Sequence, residues 1–235
     1  MIAALYVQTG GVYYGLDDVD PWDEQRDARL YDGPWPVVAH PPCQRWCRFA
    51  KGIEKVHGYR VGDDDGCFEA ALDAVRRFGG VIEHPAHSLA WDAFGLPKPF
   101  TVGGWTRALW DDGYGGSTCY VEQGRYGHPM RKATWLYAVG VELPELRWGR
   151  TNDNAMLGAY KWGSRLYRPE HDRERPRVDR LHSVSPPAFR DVLLDMARSA
   201  LDRPEAQGIA STPVEAVSFP LARADAQAHN REQRP

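Results

Sequence analysis

The chain has no apolar run long enough to span a bilayer, no basic leader followed by a short apolar core, and no excess of positive charge. The first two absences set the expectation of a cytoplasmic protein with no membrane partner. The third, a net charge of -3 over 235 residues, excludes a binder that relies on whole-surface attraction to phosphates, so any nucleic-acid contact has to be local. Cysteine is also scarce. Cys43, Cys47, Cys67 and Cys119 have neither the density nor the spacing of a disulfide scaffold, in keeping with a reducing compartment. A pair spaced like Cys43 and Cys47, even with His40 or His57 added, is a poor match to structural zinc spacing, so no metal is expected. Length favours one sizeable core. We expect a single α/β domain over residues 1–203 and a flexible tail over 204–235, where Ala, Gln, Arg, Glu and Pro dominate.

What is present centres on Val37 to Phe49. Pro36 and the pair Pro41-Pro42 bracket the apolar Val37, Val38 and Ala39. That pattern predicts a short strand forced into an extended turn at its carboxyl end, where α/β sheets place ligands. Cys43 then sits at the mouth of a crevice. An unpaired cysteine is most often a small buried hydrophobe, so a catalytic role requires partners elsewhere. It also requires a lowered thiol pKa, for which Arg45, Arg48 and His40 are the nearby candidates.

Along the rest of the chain, Ile2 to Val7 and Val12 to Tyr14 flank Gln8-Thr9-Gly10-Gly11 and read as a β-hairpin. Trp22 to Leu30 reads as a short exposed helix or a loop. Lys51 to Gly66, with Gly52, Gly58, Gly62, Gly66 and the acidic run Asp63-Asp64-Asp65, reads as a loop able to act as a lid. Phe68, Ala71, Leu72, Val75 and Phe78 recur at helical spacing, and Gly79-Gly80 stops that helix. Val81-Ile82 begins a buried strand ending in Glu83-His84-Pro85, which puts a carboxylate at a strand end beside a proline. Ser117 to Gln123 is a further strand, and Arg131 to Tyr137 is its hairpin return. Ser185-Pro186-Pro187 opens a helix with Phe189, Val192, Leu193, Met196, Ala197 and Ala200 on one face. Trp148 to Asp179 is polar, and Arg165, Arg168, Arg173, Arg175, Arg177 and Arg180 form the one basic cluster.

Taken in order, these segments resemble the DNA cytosine-5 methyltransferases and, more closely in length, short uncharacterised bacteriophage and prophage proteins with the same His-Pro-Pro-Cys and Glu-His-Pro elements. Pro42-Cys43-Gln44 resembles the family's catalytic loop, whose cysteine attacks C6 of a flipped cytosine. Glu83 resembles the glutamate that holds N3 and the amino group, with His84 where the family has asparagine. Gln123, Arg125 and Arg131 are the nearest counterparts of a Gln-x-Arg-x-Arg element that contacts base and backbone. Ser183 to Pro187 is a loose version of the entry to the family's last helix. The resemblance therefore implies Cys43 as nucleophile, Glu83 as base-holding acid, Arg125 and Arg131 as positioning cations, and Pro42, Gln44 and Gln123 at the substrate. The partner it implies is DNA or a pyrimidine nucleotide, and the cofactor S-adenosylmethionine.

Only 33 residues separate Gly10 from Cys43, too few for two full strand-helix units, each of which takes about a dozen residues beyond its strands. Two accounts stand side by side. In one, Gly10-Gly11 is the turn of a compressed cofactor site, Asp20 stands in for the ribose acid and Asp27 for the adenine acid. In the other the cofactor half is gone. The expected fold is α/β with a mostly parallel sheet of about five or six strands flanked by helices, a Rossmann-like methyltransferase type with a truncated front. The rival to an enzyme is an inactive relative of phage origin that binds nucleic acid or protein, for example against host restriction. Trp22, Trp46, Trp91 and Trp105 suit stacking in either case, and core packing is their commoner use.

Overall fold

The computed structural model describes residues 1–100, 103–107, 113–128, 130–151 and 185–201. The basic cluster from Arg165 to Arg180, Ser183 and the tail from Pro204 lie outside these residues.

Seven strands form one sheet: β1 (Ile2–Leu5), β2 (Val19–Trp22), β3 (Val37–Ala39), β4 (Gly80–Pro85), β5 (Trp105–Arg107), β6 (Ser117–Glu122) and β7 (Ala133–Val139). Their order across the sheet is β2-β1-β3-β4-β7-β6-β5. The ladders joining β2, β1, β3 and β4 are parallel; those joining β4, β7, β6 and β5 are antiparallel and mostly longer. The expectation of a mostly parallel sheet of five or six strands is thereby corrected: the sheet is mixed. The Ser117–Tyr137 hairpin accounts for the difference, because a tight return forces antiparallel pairing and continues the sheet beyond β4.

The expected amino-terminal hairpin is absent as well. Val12 to Tyr14 lies in a turn region, and β1 pairs in parallel with Val19–Trp22 instead. All four residues of β1 are fully buried, as in a central strand covered on both faces, and a two-stranded ribbon could not cover them.

The alternation of side chains along the strands divides the core in two. Ile2, Ala4, Val38, Val81 and Leu136 face helix α4 (Pro187–Ser199), which contributes Phe189, Leu193, Leu194 and Met196. Ala3, Leu5, Val37, Ala39 and Ile82 face helix α2 (Cys67–Phe78), which contributes Phe68, Leu72 and Val75. Burying one such side chain stabilises by about 1.5 to 3 kcal/mol. Gly80 lets β4 approach β3, since a Cβ there would lie 2.0 Å from the Val37 carbonyl oxygen.

Between β3 and α2 the expected loop contains helix α1 (Ala50–His57), capped by Gly58 in the left-handed region. The last short helix, α3 (Ala90–Ala93), buries Trp91 against the second core. No helix among the described residues is long and apolar enough to cross a membrane.

Candidate functional site

The chain leaves β1 for β2 on one side and returns to β3 on the other, so the strand order reverses between β1 and β3. Open α/β sheets hold ligands outside the carboxyl ends of the strands at such a switch point. A pocket of about 440 Å³ lies there, lined among others by Gln8, Gly10, Gly11, Tyr13, His40 and Ser185. Tyr6, the residue after β1, lines it at φ 59°, unusual for a non-glycine residue. The following turn is closed by bonds from the Gly11 amide to the Gln8 carbonyl at 2.9 Å and from the Tyr14 amide to the Gly11 carbonyl at 3.0 Å. Asp23, just past β2, ties the turn down by accepting from Thr9 at 2.7 Å and from Tyr14 at 2.5 Å. These bonds hold its carboxyl below the usual range.

Beside the pocket lies a buried polar network. His40 follows β3 and Glu83 sits within β4, the neighbouring parallel strand, and strand alternation turns both toward the α4 face. His40 Nδ1 lies 2.9 Å from Glu83 Oε2, and His40 Nε2 lies 2.8 Å from the Tyr13 hydroxyl. The other carboxylate oxygen accepts from Gln123 Nε2 at 2.9 Å and from the Thr134 hydroxyl at 3.4 Å. Burial alone would raise the Glu83 pKa. The positive charge of Lys132 and the hydrogen bond from His40 outweigh it, holding the acid down at about 2. Lys132, at φ 35°, is a second left-handed non-glycine residue at this site, the kind of strain that collects where function fixes the backbone. The next residue of β4, His84, points to the opposite face, fully buried against Phe68 and near Trp91. Burial drives its pKa to about 4 against the opposing pull of Glu83 and the Pro42 carbonyl. His84 thus packs behind the Cys43 loop.

Cys43 is partly buried. It opens a turn in which the Trp46 and Cys47 amides both donate to its carbonyl, at 3.0 and 2.9 Å. Trp46 anchors that turn. Its indole N–H donates to Asp64 at 2.7 Å, its carbonyl accepts from the Leu89 amide at 2.7 Å, and its ring fills the space a Cβ on Gly62 would need. The expectation of a lowered thiol pKa is corrected: burial, then the charges of Glu83 and Cys47, push it up, and Lys132 opposes them. Neither expected arginine is spent on the thiol. Arg45 stacks 3.8 Å over Tyr59 and donates to the Asp63 carbonyl, and Arg48 lies over Phe49. His40 is engaged by Glu83 and Tyr13.

The structure therefore brings together Cys43, Glu83 and Gln123, with Gly10 and Gly11 at the adjoining pocket. Pro42 and Gln44 are exposed on the same loop as Cys43. Arg131 is elsewhere: its guanidinium bonds Glu122 at 2.6 Å and the Tyr120 hydroxyl at 2.8 Å. Arg125 is exposed and donates to the Arg150 carbonyl. Asp20 accepts from Trp22 Nε1 at 2.8 Å and pairs with Arg26, while Asp27 caps a short turn of helix and pairs with Arg29 at 2.7 Å. Neither acid lines the pocket. Of the residues expected to hold S-adenosylmethionine, Gly10 and Gly11 line the pocket, and Asp20 and Asp27 do not.

Sequence reasoning missed Tyr13, His40 as a partner of Glu83, Thr134 and Lys132. The available signal was local: His40 directly follows the strand that presents Cys43, and Lys132 precedes the strand paired with Glu83. No group of three His, Cys, Asp or Glu side chains placed to hold a metal ion occurs among the described residues.

Fold and site together define an open, mixed α/β sheet with a pocket at its switch point and a His40–Glu83 pair beside it, near Cys43. No family model, curated protein or solved structure matches the chain.

Proposed function

We propose that this chain is a divergent relative of the DNA cytosine-5 methyltransferases, acting in the cytoplasm on a pyrimidine of DNA or of a nucleotide. In this reading the sheet is of the methyltransferase type, with its cofactor half shortened to β1 and β2. The observation that carries it is one of placement: Cys43, Glu83 and the switch-point pocket gather at the carboxyl ends of three neighbouring parallel strands.

The chemistry follows from the residues. The Cys43 sulfur adds to C6 of the pyrimidine, and the C5=C6 electron pair moves through C4 to N3, which Glu83 holds. C5 becomes nucleophilic at that stage. Gly10, Gly11, Gln8 and Ser185 are the pocket residues that would hold S-adenosylmethionine, which supplies a methyl electrophile when bound. Lys132 opposes the rise in the thiol's pKa and so favours the thiolate.

The test is titration of the purified chain with S-adenosylmethionine by calorimetry, beside Cys43→Ala, followed by methyl transfer to DNA. One site per chain in both proteins, with transfer only by the unsubstituted one, supports the reading. No heat at millimolar ligand overturns it.

One observation favours a catalytically inactive module that binds nucleic acid or protein: the raised pKa of Cys43. Alkylation separates the two, because a working nucleophile reacts with iodoacetamide faster than free cysteine and an inert one reacts more slowly.

A further inference from the structure

The site as described needs a proton that Glu83 does not carry. When sulfur adds to C6, the electron pair arriving at N3 calls for a proton there, yet Glu83 receives three donors and is held ionised. An ionised carboxylate can only accept, so the proton in the His40–Glu83 bond belongs to His40 Nδ1. The other ring nitrogen, Nε2, lies 2.8 Å from the Tyr13 hydroxyl, and in the Nδ1–H tautomer it accepts from that hydroxyl. Burial, and then the charge of Glu83, keep Tyr13 protonated. In that tautomer the bonds run in one direction, from Tyr13 O–H to His40 Nε2 and from His40 Nδ1–H to Glu83 Oε2. Tyr13 and His40 both line the pocket.

The geometry points to a proton wire, Tyr13 to His40 to Glu83, that leads from the pocket to the carboxylate and delivers a proton to the pyrimidine N3 as Cys43 adds. This rests on the function proposed above. Stepwise, Tyr13 gives its proton to Nε2 and is refilled from solvent in the pocket; Nδ1 gives its proton to Glu83; Glu83 passes it to N3. The thiol has meanwhile released one proton to solvent, so the adduct forms with no net gain. Once C5 has given its proton to solvent, N3 returns its proton to Glu83, sulfur leaves C6 as the thiolate, and the same bonds run in reverse and restore the starting tautomer. His40 acts through Glu83, so it is a positioning residue, and Glu83 is the group that touches the base.

The test uses the full chain with S-adenosylmethionine and a DNA duplex carrying either cytosine or 5-fluorocytosine. Fluorine cannot leave C5 as a proton does, so a methylated adduct stays covalently bound to Cys43. Wild type is expected to turn over cytosine and trap the fluorinated duplex. Tyr13→Phe and His40→Gln are each expected to slow both reactions about 100-fold, the lower range for a lost proton transfer, with duplex affinity within about threefold. Glutamine can still donate a hydrogen bond to Glu83 but cannot relay a proton, so His40→Gln at the wild-type rate overturns the wire. So does a failure of added imidazole to restore His40→Ala. A wild type that traps nothing overturns the Cys43 reaction itself, which is a different failure. Independent of any substrate, ¹⁵N NMR of the histidine side chains is expected to show His40 protonated at Nδ1 with Nε2 bare, and a proton on Nε2 alone would overturn the wire.

Discussion

Glu83 and Glu122 invite comparison. Both are buried carboxylates near the carboxyl ends of strands, β4 and β6, which flank β7 on either side. Glu122 is held by a guanidinium, a phenol and the Thr151 amide, all within 2.6 Å, and every one of its bonds ends within the fold. Glu83 is held by an amide, a hydroxyl and an imidazole, and through the imidazole its bonds lead on to a pocket. A fixed cation makes a carboxylate structural. Glu83 has the Lys132 charge nearby as well, but its hydrogen bonds come from an amide, a hydroxyl and a histidine, and a histidine can exchange protons as a guanidinium cannot.

The largest effect expected is one of pH on the Glu83 side. The folded His84 value lies below its ordinary one near 6.5, at about 4. As the pH falls the unfolded chain therefore takes up the proton first, and stability present above about pH 6.5 is lost down to about pH 4, by about 3 kcal/mol. Glu83 has the same sign in a lower window, from the ordinary carboxylate range down toward its folded value of about 2. Urea denaturation at stepped pH should show both slopes, and His84→Asn should flatten the upper one alone. If the upper slope survives that substitution, His84 is not its source.

On the Glu122 side, Arg131→Ala should cost about 2 to 3 kcal/mol by urea denaturation at pH 7. Stranding a buried carboxylate costs about 3 to 5 kcal/mol, and the partial exposure of Arg131 together with the remaining Tyr120 and Thr151 donors brings that down. Glu83→Gln should cost less, about 1 to 2 kcal/mol, because the new amide turns a donor toward donors in a place where the partners can shift. A reversal of that order would mean that Glu83, and not Glu122, is the structural anchor.

Much of this site was legible from apolar runs with a punctuating residue. The helix from Phe68 to Phe78, the strands at Val37, Val81 and Ser117 and the helix after Pro187 all announce themselves by period and by Pro or Gly, and they put Cys43 after β3 and Glu83 on the neighbouring β4. The failures share a cause. Gln8 to Gly11 reads as a hairpin turn with Val12 to Tyr14 as its return strand, but strand pairing depends on what covers the strand, and β1 is covered on both faces by distant helices. The resemblance implies Arg131 at the substrate, yet its guanidinium pairs with the buried Glu122. Nor could a sequence show that the two polar atoms of His40 meet Tyr13 and Glu83, 27 and 43 residues away.

Arg125 supplies the smallest effect and sharpens the same contrast. It sits on the turn after Glu122, exposed, with its side chain spent on the Arg150 carbonyl. No buried charge depends on it, so Arg125→Ala should change stability by less than about 0.5 kcal/mol, as for most surface substitutions. The resemblance also assigned it to the substrate, which makes the pair with Arg131 informative. Loss of Arg125 should leave the denaturation midpoint in place, and any fall in duplex affinity would then belong to a contact with DNA. Loss of Arg131 should move the midpoint first, with affinity following only as the fold is lost. Were Arg125→Ala to lower the midpoint as much as Arg131→Ala, the turn after β6 would be one structural unit and the separation between the two carboxylate regions would fail there.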